Sequence, residues 1–271
     1  VLPPRARDSH KGDFGAVGVL GGAPGMAGAA LLAGRAALAC GAGRVHVGLL
    51  DRRIAFDPLT PELMLRPARA MPPLPTPACL VTGPGLGDSA QALRCLADAL
   101  DVPHALLLDA DALNLLARDA DLLAAVRTRG PATIVTPHPG EAARLLRCTA
   151  ADIQGDRAGA VRALVDLTGA IVVLKGAGTL IAAPDALPVT NTTGNPGMAA
   201  PGMGDALCGI IAALIAQGMP ASDAAIAGVH LHGAAGDAAV ARGHGPRGLT
   251  ASRLIEHARR LLNGLGASDC G

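Results

Sequence analysis

The densest run of residues able to do chemistry is Gly194-Asn195-Pro196-Gly197-Met198-Ala199-Ala200-Pro201-Gly202-Met203-Gly204-Asp205. It stands in front of an apolar helical stretch, 206–217, with Asp205 in the first turn. Gly202 and Gly204 leave bare amides on either side of Met203, so Gly202, Met203 and Gly204 form a candidate anion hole. Such an array stabilises charge on a transferring phosphoryl group while a carboxylate takes the proton of an attacking hydroxyl. Asp205 is the candidate catalytic group. A carboxylate at a helix head also serves as a plain cap or dipole partner, and the sequence leaves that reading open.

Three further segments end apolar runs. In Leu174-Lys175-Gly176-Ala177-Gly178-Thr179, a Lys before Gly with a Thr four residues on can grip a nucleotide phosphate, or can be a solvated strand end. In Thr136-Pro137-His138-Pro139-Gly140-Glu141, two prolines hold His138 extended at a strand edge, which favours a ligand contact over a core role. Asp109-Ala110-Asp111 offers two carboxylates for Mg²⁺ or a hydroxyl, with helix capping by Asp111 the plain alternative. His230-x-His232 carries an i, i+2 spacing that points its rings apart on a helix, and no metal-ligand cluster has usable spacing. There is no P-loop, no G-x-G-x-x-G opening a helix and no G-x-S-x-G elbow; Gly83-Pro84-Gly85-Leu86-Gly87 has a different spacing.

These segments need a scaffold that brings strand ends together. Apolar runs at 17–20, 45–49, 79–82, 105–108, 133–135, 171–174 and 179–182 predict strands. Stretches at 28–40, 90–100, 112–117, 140–146, 156–167, 206–217, 222–240 and 251–262 predict helices. That alternation predicts a parallel sheet covered on both faces, with ligands outside the carboxyl ends of its strands. The proline-rich stretch 58–77 is expected as a long surface connection or lid. One domain is expected across 1–271, with 1–9 and 264–271 as loose ends. Half of the chain is apolar but only two residues are Phe and none Tyr or Trp, so the core is built from Ala, Leu, Val and Ile. The near absence of aromatics removes base stacking, and a net charge of +1 gives no electrostatic footprint for nucleic acid or an anionic membrane. The six Cys (40, 79, 95, 148, 208 and 270) show no C-x-x-C pair and are expected as buried, reduced thiols. No signal peptide or membrane span is expected, and the cytoplasm is the default compartment.

Taken in order, His10-Lys11-Gly12, Gly25-Met26-Ala27-Gly28-Ala29, the 83–87 run, Asp109-Ala110-Asp111-Ala112-Leu113, the 136–141 run, Leu174-Lys175-Gly176-Ala177 and Asn191-Thr192-Thr193-Gly194-Asn195-Pro196-Gly197-Met198 resemble the ADP-dependent NAD(P)H-hydrate dehydratases. The resemblance runs from His10 to about Leu262. It implies a ribokinase-like α/β fold and a carbon–oxygen lyase that repairs hydrated NADH and NADPH of the S epimer. In that chemistry ADP phosphorylates the ring hydroxyl, giving AMP, and phosphate then leaves; eukaryotic members use ATP instead. The resemblance implies Mg²⁺ on the phosphates, a homo-oligomer, and functional pairing with an NAD(P)H-hydrate epimerase. By position, Asp205 matches the hydroxyl-activating carboxylate, and Gly204 with Lys175, Gly176, Ala177, Gly178 and Thr179 match nucleotide contacts. Ala29, Gly85, Gly87 and His138 match contacts to the hydrated dinucleotide, as Asp205 does. The chain departs from the family at Ala200-Pro201, where a small residue and Gly are usual, so one potential amide donor is lost. Two other functions remain open at this point: a small-molecule kinase of the same fold, of the hydroxyethylthiazole kinase kind, and a non-catalytic nucleotide-binding module.

Overall fold

The apolar runs form strands because each is buried on both faces of a sheet. The computed structural model describes residues 2, 5–71, 73–76 and 78–264. Along the chain come β1 (Ala16–Gly21), α1 (Ala27–Ala39), β2 (Arg44–Leu49), β3 (Met64–Pro67), β4 (Ala78–Thr82), α2 (Ala90–Leu100), β5 (Ala105–Leu108), α3 (Asp111–Leu116) and α4 (Ala120–Arg129). Then follow β6 (Thr133–Val135), α5 (Pro139–Leu146), α6 (Ala150–Gly155), α7 (Arg157–Thr168), β7 (Ile171–Leu174), β8 (Leu180–Ala182) and β9 (Val189–Thr190). The chain closes with α8 (Met203–Ala216), α9 (Ala221–Ala241) and α10 (Ala251–Leu262).

Among the described residues the strands make one sheet in the order β3-β2-β1-β4-β5-β6-β7-β8-β9. Every pair from β3 to β7 is parallel, and the β7–β8 and β8–β9 pairs are antiparallel. Alternate residues of one strand enter different layers. Val17, Val19, Cys79, Val81, Leu107, Ile134, Ile171 and Val173 pack with α1, α8, α9 and α10. Leu20, Leu80, Leu106, Leu108, Val135, Val172 and Leu174 pack with α2 to α7. The period of two thus sets the two helical layers, and parallel pairing puts the loops after β1, β2 and β4 to β7 on one rim.

The stretch expected as an irregular connection contains β3 and a 3-10 turn, Ala68–Ala70. Only short apolar spacing marks β3, and Pro67 is tolerated because the strand lies at the sheet edge. A buried ion pair holds the connection before it: Arg35 Nε lies 2.6 Å from Asp57, which is fully buried. The helices α4 and α6 carry few buried residues, Val126 and Ile153 respectively, and so little apolar periodicity. At the start of the chain, Arg5 stacks on Phe14 and donates to the Gly41 carbonyl at 2.6 Å. The expected loose tail beyond Gly264, with Cys270, lies outside the described residues. Cys40, Cys79, Cys95 and Cys208 are buried free thiols as expected, whereas Cys148, just past the end of α5, is exposed. Among the described residues no helix is long and apolar enough to cross a membrane.

The helix α8 is the spine of one layer, buried along nearly its whole length. Its close contact with α1 depends on Gly209, where a Cβ would stand 2.1 Å from the Ala33 carbonyl oxygen and 2.7 Å from the Ala36 Cβ. Gly209→Ala must push the two helices apart, and its expected cost is at least about 1–3 kcal/mol, the range for overpacked cores. Urea unfolding of the variant measures this, and an unchanged midpoint would show that the helices can separate freely.

Candidate active site

Strand ends on the shared rim deliver the titratable residues. Asp109 follows β5, Thr136 follows β6 and Lys175 follows β7, so parallel pairing brings them side by side. Lys175 Nζ lies 2.5 Å from Asp109 Oδ1 and 3.8 Å from Glu141 Oε2. Asp109 is 2% exposed, and it accepts from Thr136 Oγ1 at 2.7 Å and from Cys208 Sγ at 3.3 Å. Burial alone would raise the Asp109 carboxyl, but the Lys175 charge and these hydrogen bonds outweigh it and hold the group below its ordinary value. Burial would likewise lower Lys175, yet Asp109 and Glu141 hold the ammonium above its ordinary value. Burial raises Glu141, against the pull of Lys175. One cation thus serves two buried carboxylates.

Asp205 stands above this cluster in the first turn of α8. Burial, then the nearby charge of Asp109, pushes its carboxyl up to about 6, with Lys175 opposing. It is only partly buried and makes no ion pair among the described residues, which leaves it available to a ligand. Asp205 is not the helix cap: the N-cap is Gly202, at φ 83° and ψ −5°, with no side-chain cap, and Asp205 is the acid in the first turn, where it also suits the helix dipole. The Ala206 amide bonds the Gly202 carbonyl, so those of Met203, Gly204 and Asp205 precede the helical ladder. A Cβ on Gly204 would stand 3.4 Å from Lys175 Nζ, so bare backbone there leaves the ammonium beneath the helix head. His232 of α9 is buried behind it, pushed down to about 4 chiefly by burial, with Nε2 unpartnered. His230, two residues earlier on the same helix, is exposed.

A second group of loops lies across the rim. Gly22 and Ala23, after β1, donate to the carbonyls of Pro84 and Gly85 at 3.0 and 2.6 Å. A Cβ on Gly85 would stand 2.4 Å from the Met26 carbonyl oxygen and 3.2 Å from the Ala29 Cβ. Ala29 and Gly85 therefore lie side by side on the rim. Asp111 caps no helix. Its carboxylate accepts from the Gly87 amide at 2.8 Å and pins the 83–87 loop to the head of α3. Between the carboxylates, Ala110 holds φ 50° and ψ −118°, a strained conformation for a residue with a side chain.

His138 stands at the rim with its side chain half exposed. Its ring is not wholly free for a ligand: Nδ1 accepts from the Gly140 amide at 2.9 Å and caps α5. That bond leaves the hydrogen on Nε2, which faces Glu141 Oε1 at 3.3 Å. Burial, then the charge of Lys175, lowers the ring below its ordinary value. The loop 175–179 is exposed at Gly176, Ala177 and Gly178, as a nucleotide contact would be, and Thr179 Oγ1 closes it on the Gly176 carbonyl at 2.9 Å. Among the described residues no group of three or more His, Cys, Asp or Glu could hold a metal ion.

Residues 17–260 match the family model described as NAD(P)H-hydrate dehydratase. The chain belongs to the NAD(P)H-hydrate dehydratase family. It is 44% identical over 274 residues to the ADP-dependent (S)-NAD(P)H-hydrate dehydratase of Neisseria meningitidis, covering 97% of this chain and 90% of that one. It is also 44% identical to the bifunctional NAD(P)H-hydrate repair enzyme Nnr of Escherichia coli; the match covers 97% of this chain and half of the relative's length. Among solved structures, the ADP/ATP-dependent NAD(P)H-hydrate dehydratase of Bacillus subtilis, co-crystallised with ATP/Mg²⁺, superposes with a TM-score of 0.83 at 29% identity, covering 98% of this chain and 95% of that one. The fold is ribokinase-like, as the ordered motifs implied.

Two residues of this dehydratase-family site were not singled out from the sequence. Arg157, at the head of α7, donates to the carbonyls of Leu174, Lys175 and Gly178 at 3.0 to 3.4 Å and clamps the 175–178 loop. Asp237 of α9 accepts from the Gly194 amide at 2.8 Å and from Asn195 Nδ2 at 2.9 Å, fixing the start of the glycine-rich run. Both hold backbone that lies far away in the chain, so spacing gives no sign of them.

Lys175→Met strands the buried Asp109 carboxylate and is expected to cost about 3–5 kcal/mol of stability. Chemical denaturation checks this, together with an Asp109→Asn/Lys175→Met double variant that should recover part of the loss. Strictly additive losses would mean that the two groups are not coupled.

Proposed function

We propose that the chain dehydrates the S epimer of hydrated NADH and NADPH at the expense of ADP, returning the reduced dinucleotide with AMP and phosphate. The observation that carries the reading is Asp205: partly buried, raised to about 6, and set at the helix head over Lys175. The family membership and the relatives' names support it.

In this reading the ring hydroxyl of the hydrate lies against Asp205, with the dinucleotide running past Ala29, Gly85, Gly87 and His138. Asp205 takes the hydroxyl proton as its oxygen attacks the terminal phosphorus of ADP, and AMP leaves. The amides of Met203, Gly204 and Asp205 face the charge that develops on the phosphoryl oxygens, the anion-hole role given to Gly202, Met203 and Gly204. Lys175, Gly204 and the exposed 176–179 turn hold the nucleotide, positioned by Arg157. Loss of phosphate from the ring carbon and of a proton from its neighbour then restores the double bond. Mg²⁺ bound with the nucleotide would supply charge neutralisation on its phosphates. We place this chemistry in the cytoplasm, in a homo-oligomer, with an NAD(P)H-hydrate epimerase supplying the S epimer; the two-part relatives support that pairing.

Hydrated NADH incubated with ADP, and in parallel with ATP, should recover absorbance of the reduced ring and release free phosphate. No recovery with either nucleotide overturns the assignment, and accumulation of a phosphorylated alcohol would point to a kinase. Asp205→Asn is expected to lower kcat by about 10²–10⁴ with nucleotide binding retained. Only ionised Asp205 accepts a proton, so kcat/KM should rise with pH through about 6. The stability effect has the opposite sense. A carboxyl raised on folding stabilises the fold at low pH, and that contribution is lost as pH rises through about 6. Asp205→Asn should therefore melt no lower than the parent at pH 7.5. A flat pH profile, or near-normal turnover of the variant, would remove Asp205 from its role.

A further inference from the structure

Arg52, Arg69 and Arg94 converge with Gln91 and Pro67 on a pocket of about 240 Å³ that lies outside the catalytic cluster. Arg52 follows β2, Arg69 lies in the 3-10 turn after β3, and Gln91 and Arg94 lie on α2, the helix after the 83–87 loop. Among the described residues none of the three guanidinium groups makes an ion pair or a side-chain hydrogen bond. The acids nearby in sequence do not neutralise them: Asp51 is held by Arg53 at 2.7 Å, Asp88 faces Arg118 at 3.8 Å, and Asp98, one turn beyond Arg94, stays unpaired. Three uncompensated cations sharing one concave surface repel one another, which an anion would relieve. Guanidinium forks pair bidentately with the oxygens of carboxylates and phosphates, and a phosphate dianion offers more charge and more oxygens to three such groups.

The position of the pocket says which phosphate. Asp109 marks the end of β5, and the pocket lies at the ends of β2 and β3, three to four strands away in the order β3-β2-β1-β4-β5. At normal strand spacing that is roughly 14–19 Å along the rim. Between the two lie the loops after β1 and β4, with Ala29, Gly85 and Gly87, the candidate contacts to the dinucleotide. A dinucleotide whose hydrated ring lies at Asp205 and which crosses those loops delivers its adenosine end to the arginines. Its pyrophosphate, in the middle of the molecule, stops short of them.

We propose that Arg52, Arg69 and Arg94, with Gln91, bind the phosphate monoester on the adenosine ribose of hydrated NADPH and make the enzyme prefer the phosphorylated dinucleotide. This rests on the dehydratase reading given above. The test compares steady-state constants for hydrated NADPH and hydrated NADH in the parent and in an Arg52→Ala/Arg69→Ala/Arg94→Ala variant. All three side chains are exposed, so the fold should survive, which a melting curve verifies. The KM for hydrated NADPH is expected to rise roughly ten- to hundredfold, as for lost charge-assisted hydrogen bonds. The constants for hydrated NADH serve as the internal reference and should stay level. An equal loss on both substrates would assign the arginines to the pyrophosphate and overturn the proposal, and so would no change on either.

A binding measurement keeps the pocket separate from the chemistry. Calorimetry on the intact chain compares adenosine 2′,5′-bisphosphate with AMP. The parent should bind the bisphosphate at least about tenfold more tightly, and the variant should bind the two alike. Equal affinities in the parent overturn the phosphate site. If neither hydrate is turned over, the dehydratase reading fails, and the calorimetry decides the pocket by itself.

Discussion

The rim of this protein depends on one buried ion pair, Lys175 with Asp109, at the ends of two strands that are not neighbours. The sheet places β6 between β5 and β7, so the pair spans an intervening strand. Thr136, at the end of that strand, donates to the same carboxylate. Three consecutive strand ends are thereby tied through Asp109, and Cys208 ties α8 to it from the opposite layer. A carboxylate this deep is tolerable only with its charge met and its lone pairs used. The constraint fixes where the head of α8 can lie, and so where Asp205 stands.

The same pair explains the state of Asp205. Because Asp109 has already claimed most of the lysine's charge, Lys175 only partly offsets the burial of Asp205. The second carboxylate is therefore left raised, at about 6. Two acids in one cluster thus take opposite shifts, one held ionised by direct contact and the other raised to about 6. An anionic nucleotide arriving beside Asp205 would push it further up. In the proposed reaction, charge neutralisation on the phosphates would therefore matter twice: it would ease phosphoryl transfer and keep Asp205 ionised.

Much of this was legible in the sequence, and what was not shares a cause. The strands at 17–20, 105–108 and 171–174 were plain because both faces are buried and the runs are continuous. Asp205, Lys175 and His138 were visible because each ends or begins an element beside Gly or Pro. β3 was hidden because half of it is exposed and it ends in proline, and α4 because Val126 is its one buried residue. Arg157 and Asp237 were hidden for a different reason. They act on backbone carbonyls and amides 17–43 residues away, and no local pattern encodes such a partner. Asp111 was seen but its task was not, since only the folded rim shows it holding Gly87.

The departure at Pro201 looks different once the turn is in view. Gly202, at φ 83° and ψ −5°, has the third-position geometry of a type II turn, and proline is favoured at the position before it. Pro201 is exposed and lies outside the helix, so its missing N–H removes no ladder bond. The amide that follows the turn, on Met203, has no protein acceptor among the described residues. One donor is lost, and the φ that aims the next three is fixed before any ligand arrives. A hole of fewer but pre-set amides loses less conformational freedom when the phosphoryl group binds. In the proposed mechanism Pro201 therefore adds rigidity at the turn that leads into Asp205, while the Lys175–Asp109 pair sets the position of the helix head beneath it.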